Sequence, residues 1–337
     1  MTFAVRAAVL CGLGSWTPEN IVTNDQLAAV LDTSDEWIRN RTGVVRRHVA
    51  SAGTATSELA VEAGARALKS AGLDAVDALI LATTTPDHIC PATAPEVASH
   101  LGLGAIAAFD ITAVCTGFIY ALANGAGLIA AGIADRVLVI GADVFTAILN
   151  PHDRTTRAIF GDGAGAVVLR AGSVHDLGAI GPFTLGSDGH GADLIMVPAG
   201  GSRKPYRSDG SDERERYLVM HGQSVYRQAV DIMARSTIRA LGLAELPISA
   251  VDWLVCHQAN RRILNAVATR LGIPVDRCLI NIDQVGNTAA ASIPLALAYG
   301  AECGALRAGD QVVLTGFGGG LTWGSTLLRW PEVVCGS

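Results

Sequence analysis

Aromatic residues are scarce at 5%, lysine occurs only at positions 69 and 204, and no Cys-x-x-Cys pair is present. Without such pairs the chain offers no zinc knuckle, and seven cysteines at irregular spacing in so long a chain argue against a disulfide framework. Each cysteine therefore needs its own explanation. Long apolar runs are missing too: a membrane helix needs roughly 18 apolar residues or more, and the longest candidate, Phe118 to Ile133, is short of that and reads as a buried helix. The opening Met1 to Val9 runs straight into Gly-rich turn chemistry, with no small-residue cleavage site after an apolar block. These absences point to a cytoplasmic chain without a membrane segment. The formal charge of −6 removes any general attraction to nucleic acid or anionic lipid, so an anionic partner must meet a local patch of arginines.

What is present is a core. Half the residues are hydrophobic and the mean hydropathy is +0.37, which excludes intrinsic disorder as the main state. The helical pattern of Thr56 to Gly72, with Leu59, Ala63, Ala67 and Leu68 on one side, leads into a strand at Ala78 to Ala82. Ser224 to Gly242 repeats it through Val230, Met233 and Ile238, ahead of a strand at Trp253 to Cys256. Further on, Cys115 opens an Ala/Gly-rich helix that leads to the strand Arg136 to Gly141. Asn287 opens its later counterpart, which leads to Asp310 to Gly316. A Gly-rich segment and a last strand close each copy, at Ala164 to Leu169 and at Gly324 to Leu328. Helix-strand-helix-strand twice over predicts an α/β protein of two duplicated halves, 1–175 and 176–337, with buried helices between the sheets. The polar stretch Pro198 to Glu215 reads as an excursion between strand and helix.

Three residues fall where such a fold places chemistry. Cys115 follows the apolar strand Ala107 to Ile111 at a helix start, where free N–H groups and the positive helix end favour thiolate; the competing reading is a buried core cysteine. His257 ends a strand and opens a polar group, a position shared by functional and turn-capping histidines. Asn287 stands in the place matching Cys115, either as a simple N-cap or as part of a pocket shared across the pseudo-twofold axis with Cys115 and His257. Gly316-Phe317-Gly318-Gly319-Gly320 lacks the spacing of a dinucleotide or phosphate loop; it is a tight turn or part of an oxyanion hole.

Taken in order, Ser34 to Ile38, Arg41-Thr42-Gly43, Cys115 to Phe118, Phe160 to Gly165, His257 to Asn260, Gly286-Asn287-Thr288, and Gly316 to Gly320 with Thr322 to Gly324 resemble the β-ketoacyl-acyl carrier protein synthase III family of the thiolase-like superfamily. The arginine-heavy composition, together with the primer inference drawn below from Cys90, resembles actinobacterial enzymes that prime type II polyketide pathways. The resemblance implies a five-layered αβαβα fold, a homodimer, and a Cys-His-Asn triad at Cys115, His257 and Asn287. It implies an oxyanion hole from the N–H groups of Cys115 and Gly319. It gives Trp37, Arg41, Arg154 and Asn260 to coenzyme A, although Arg41 and Arg154 also read as solvated surface. Arg261 and Arg262 would receive an acidic carrier protein, while Arg214 and Arg216, alternating with glutamates, suit a solvated face better.

The implied reaction condenses an acyl-CoA starter with malonyl-acyl carrier protein and needs no tightly bound cofactor and no metal. Cys90, where acetyl-preferring relatives carry a large aromatic residue, leaves room in the primer pocket, with Phe160 and Met220 as contributors. A starter of about three to five carbons follows, since each buried methylene contributes roughly 0.8 kcal/mol. Initiation of fatty-acid synthesis from acetyl or branched acyl-CoA, and a non-decarboxylative acyltransferase using the same cysteine, are the alternatives.

Overall fold

The computed structural model describes residues 6–207 and 213–336. Met1 to Val5, in the stretch read as carrying no signal, and residues 208–212 of the polar excursion lie outside the described residues.

Strands that read as unbroken apolar runs are buried on both faces, as parallel strands covered by helices must be. All five residues of Ala78–Ala82 are buried. This strand lies in a sheet ordered Cys335–Gly336, Ala7–Trp16, Gly163–Gly172, Arg136–Asp143, Ala78–Ala82, Ala107–Ile111. A second sheet is ordered Trp253–Cys256, Gln311–Gly318, Thr322–Arg329, Ile180–Ser187. Each contains the same motif, a parallel pair followed by two antiparallel neighbours. Duplication is thus visible in strand order as well as in sequence.

Five layers result. The helix Thr56–Ala71 covers the outer face of the first sheet, burying the expected Leu59, Ala63, Ala67 and Leu68. Its close approach depends on Gly12 and Gly14, where a Cβ would sit 2.5 Å from Ala67 O and 2.4 Å from Ala63 O. Helices Gly117–Ala130 and Ser292–Glu302 fill the space between the sheets. Gly125 faces Val139 and Leu169 of the first sheet, while Ile119 packs on Gly316 and Gly324 of the second. Helices Gly222–Leu243 and Arg261–Leu271 form the other outer layer.

Two expectations need correction. Ile238 does not share the buried face of its helix but is 58% exposed. The stripe toward the sheet runs through Val225, Ala229, Met233, Ser236 and Ala240, and the Ser236 hydroxyl binds Thr184 Oγ1 at 2.8 Å and Ser325 Oγ at 2.9 Å. A polar residue inside the stripe rotates it away from a count of apolar residues alone. The halves are also interlocked: the second sheet draws only on residues 180–329, yet Cys335–Gly336 returns to pair in parallel with Ala7–Trp16.

Candidate active site

Between Ala107–Ile111 and its inner helix the chain makes a short 3-10 turn, Val114–Thr116, before the α-helix begins at Gly117. Val114 has φ +47°, an unusual conformation for a β-branched residue and typical of strain held at functional sites. The second half repeats this device at Ala289, φ +47°, the first residue of the 3-10 turn Ala289–Ala291 that precedes the helix from Ser292. The structural counterpart of Cys115 is therefore Ala290. Asn287, expected to match Cys115, stands three residues earlier, because the second helix starts later than its N-cap chemistry suggests.

The turn holding Cys115 is clamped from the other half. Thr322 Oγ1 lies 3.1 Å from Ala113 O and 3.1 Å from Gly319 O, and Thr116 Oγ1 donates to Thr322 O at 3.1 Å. A Cβ on Gly318 would fall 2.9 Å from Cys115 N. The Gly-rich strand thus runs directly beside the cysteine. Gly319 is buried one residue on, where a Cβ would lie 3.0 Å from Ile195 O.

His257 is anchored by its N–H to Thr315 O at 2.8 Å. Its Nδ1 lies 2.6 Å from Ser292 Oγ, and its Nε2 is buried with no partner among the described residues. Burial pulls the imidazole down to about 3, so it is neutral. Asn287 is held at both backbone ends, its N–H donating to Ile159 O at 2.9 Å and its carbonyl accepting from Gly161 N–H at 3.0 Å. Its Oδ1 accepts from Ala289 N–H at 3.0 Å, which orients the amide and leaves the Nδ2 donor for the cavity.

Cys115, His257 and Asn287 line one cavity of about 130 Å³, with Phe160 and Met220 in the same wall. Phe145 stacks on Phe160 with centroids 4.5 Å apart, giving the cysteine an apolar floor. The thiolate expectation for Cys115 is not met. Burial, and then the nearby Asp143 carboxylate, push the thiol up from its ordinary value, outweighing the helix start.

Ile159, Met220, Tyr226 and Asn260 line both this cavity and a wider outer cleft of about 800 Å³. Trp37, Arg41 and Arg262 line the cleft as well. Trp37 and Arg41 are presented by the helix Asp35–Thr42, whose N-terminus is capped by the Ser34 hydroxyl. The Arg41 and Arg154 guanidiniums lie 6.0 and 5.2 Å from the Trp37 ring centroid. Arg154 also pairs with Asp32 at 3.1 Å. Asn260 caps the helix Arg261–Leu271 and donates to Arg41 O at 3.0 Å, so it holds the cleft wall together.

Four predicted residues, Arg154, Gly319, Arg261 and Cys90, line neither the cavity nor the cleft. Arg261, expected at the carrier-protein surface, is exposed and packs its stem against Gly43, where a Cβ would be 2.4 Å away. Cys90 is exposed and does not line the cavity of its own chain. Sequence reading missed Asp143, Ser292 and the clamping role of Thr322. None carries a local motif: each matters through a partner more than 30 residues away.

Residues 109–189 match the model of 3-oxoacyl-[acyl-carrier-protein] synthase III, and residues 241–330 match that of its C-terminal part. A β-ketoacyl-[acyl-carrier-protein] synthase III from Streptomyces coelicolor is 58% identical over 97% of this chain and 98% of its own. The chain belongs to the 3-oxoacyl-[acyl-carrier-protein] synthase III family of acyltransferases. The solved synthase III from Pseudomonas aeruginosa superposes with a TM-score of 0.92 at 54% identity, covering 98% of this chain and all of that one. The priming β-ketosynthase of the R1128 polyketide biosynthetic pathway gives 0.89 at 32% identity, covering 98% and 99%. For this synthase III member the thiolase-like αβαβα fold holds over its whole described length. No helix among the described residues is long and apolar enough to cross a membrane.

Proposed function

We propose that the protein condenses a short acyl-CoA with malonyl-acyl carrier protein through an acyl-Cys115 intermediate. The observation that carries this reading is the single buried cavity in which a thiol, a neutral imidazole and an oriented amide meet, opening into a cleft lined by an indole and arginines. In the first stage the Cys115 sulfur bonds to the acyl carbon, the carbon–sulfur bond to CoA breaks, and the thiol proton ends on the CoA sulfur. The N–H groups of Cys115 and Gly319 hold the developing oxyanion, each donor contributing about 3 kcal/mol. In the second stage the bond between the malonyl methylene and its carboxylate breaks, carbon dioxide leaves, and the electron pair becomes an enolate whose oxygen accepts from His257 and Asn287. The enolate carbon attacks the acyl group, the bond to the Cys115 sulfur breaks, and Cys115 leaves as thiolate and regains a proton from solvent. No tightly bound cofactor enters.

Trp37 would stack on the adenine of coenzyme A, Arg41 and Arg154 would meet its phosphates, and Asn260 its pantetheine arm. Arg261 and Arg262 would receive the carrier protein in a chain that is otherwise net negative. Ala107–Ile111 forms one edge of the first sheet, so a second copy can add there, which supports a homodimer. In that dimer Cys90 would reach the partner's primer pocket and leave it open to starters of about three to five carbons.

Priming of a type II polyketide pathway is supported by the likeness to the R1128 ketosynthase. Initiation of fatty-acid synthesis uses the same chemistry and is favoured by the greater likeness to relatives named only as synthase III. Intact-mass measurement with a panel of acyl-CoAs, followed by malonyl carrier protein, tests the reading. Acyl mass on the wild type and none on Cys115→Ala, then carbon dioxide release, is the expected result. Acyl transfer without carbon dioxide would establish the non-decarboxylative alternative, and a tenfold preference for acetyl in kcat/KM would overturn the starter.

A further inference from the structure

We infer that Ser292 is the positioning residue that holds His257 in the Nε2–H tautomer, so that the imidazole enters the reaction as a hydrogen-bond donor and not as a base. The inference rests on the condensation proposed above and concerns its second stage.

Ser292 is fully buried at the first position of the helix Ser292–Glu302. Its Oγ accepts from the Gln258 N–H at 3.1 Å and lies 2.6 Å from His257 Nδ1. A serine hydroxyl carries one hydrogen and two lone pairs. The Gln258 N–H takes one lone pair, which leaves two arrangements for the short contact to the ring. If Nδ1 carried the proton and donated to Oγ, the serine hydrogen would need another acceptor, and none is recorded for it among the described residues. A buried hydroxyl hydrogen with no partner is costly. If Oγ–H donates to Nδ1, every group of the Gln258–Ser292–His257 chain is satisfied except one, the proton on Nε2. That nitrogen is the buried atom without a partner, on a residue that lines the cavity with Cys115 and Asn287.

The unsatisfied donor is therefore the one the thioester oxygen meets. Burial of the ring keeps the second nitrogen from being protonated as well. With Asn287 Nδ2 as the other donor, two neutral hydrogen bonds face the place where the enolate charge develops, and the ring has no lone pair there to compete for protons. The serine decides this from 35 residues away in sequence, through a bond made only when the second inner helix packs against the Trp253–Cys256 strand.

The test uses the full-length enzyme with ¹⁵N-labelled histidine, assigning His257 by difference from His257→Ala. In the wild type the spectrum is expected to show Nδ1 as acceptor and Nε2 as protonated; a proton on Nδ1 would overturn the inference without need of any variant. Ser292→Ala is expected to load acyl groups onto Cys115 within about threefold of wild type, while kcat for condensation falls at least about tenfold and the two ring nitrogens lose their distinct signatures. Ser292→Thr, which keeps the hydroxyl, is expected to restore both the signature and the rate. Condensation within about threefold of wild type in Ser292→Ala, with an unchanged spectrum, would equally overturn it. A wild type that takes up no acyl group or releases no carbon dioxide defeats the proposed reaction instead, and the ring spectrum separates that failure from this one.

Discussion

Asp143 Oδ2 accepts a hydrogen bond of 2.9 Å from the Ala290 N–H, joining the end of a first-half strand to the turn whose Ala289 N–H donates to the Asn287 side chain. Its other oxygen accepts from Thr84 N–H at 2.6 Å and Thr85 N–H at 3.2 Å, and from the hydroxyls of Thr83 and Thr85. Asp143→Asn keeps only one acceptor oxygen. Either the amide NH₂ faces the Ala290 N–H or it faces the threonine loop, and one connection is lost. We expect a loss of about 1–3 kcal/mol in urea unfolding and a larger effect on condensation than on acyl loading of Cys115. Equal loss of both half-reactions would show that Asp143 serves overall stability alone.

The same residue sets a pH dependence. Burial raises its carboxyl from 3.8 to about 6, against the hydrogen bonds that lower it. Because the folded state holds the proton more tightly than the unfolded chain, the associated stability is fully present below about pH 4 and is lost as pH rises through about 6. The contribution is about 3 kcal/mol. Asp162 is raised as well, so the comparison must be made with the Asp143→Asn protein, whose stability is expected to change less between about pH 4 and about pH 7 than that of the wild type. Parallel curves for the two proteins would rule this out.

Much of this architecture was legible in the chain because it rests on local pattern. Gly72 stops its helix in the left-handed conformation at φ 63°, and the apolar runs at Ala78 and Trp253 are strands because two helical layers cover them. The repeated order of elements predicted the duplicated halves. Cys115 and His257 could be placed because each stands at the end of a strand or the start of a helix, and Asn287 because its N-cap chemistry put it near the matching helix, although that helix begins only at Ser292. What could not be read was set by packing. The equivalence of Cys115 with Ala290 depends on where a second helix begins, the raised thiol on how much protein surrounds it, and the Ser292 contact on two elements meeting. Helix-start electrostatics is a local rule, and for Cys115 desolvation overrides it.

A second measurable consequence concerns that thiol. Since burial and Asp143 both push Cys115 upward, its alkylation by iodoacetamide is expected to keep accelerating above about pH 9 instead of levelling near neutrality. Exposed Cys303 supplies the internal comparison in peptide mapping. Preincubation with an acyl-CoA should protect Cys115 and leave Cys303 reactive. A Cys115 rate that reaches its plateau by about pH 7 would mean that the helix start prevails after all.

Two glycines, Gly318 beside Cys115 and Gly127 far along the helix that follows it, should respond in opposite ways to the same added methyl. In Gly318→Ala the new Cβ would lie 2.9 Å from Cys115 N and 3.2 Å from Thr116 N, backbone atoms fixed by the Thr322 clamp. Neither side can give way cheaply, and any shift displaces the Cys115 N–H proposed above to hold the oxyanion. We expect acyl loading to fall by at least about a hundredfold, the scale of losing one such donor. A destabilisation of about 1–3 kcal/mol should accompany it. Gly127, on the helix that begins two residues after Cys115, has nothing within 4 Å of its added Cβ. Gly127→Ala is therefore expected to leave loading unchanged and to stabilise the protein by about 0.5–1 kcal/mol through helix propensity. Thermal melting and intact-mass loading on the pair measure both effects. Normal loading by Gly318→Ala would mean that the cysteine turn is looser than its contacts with the Gly-rich strand require.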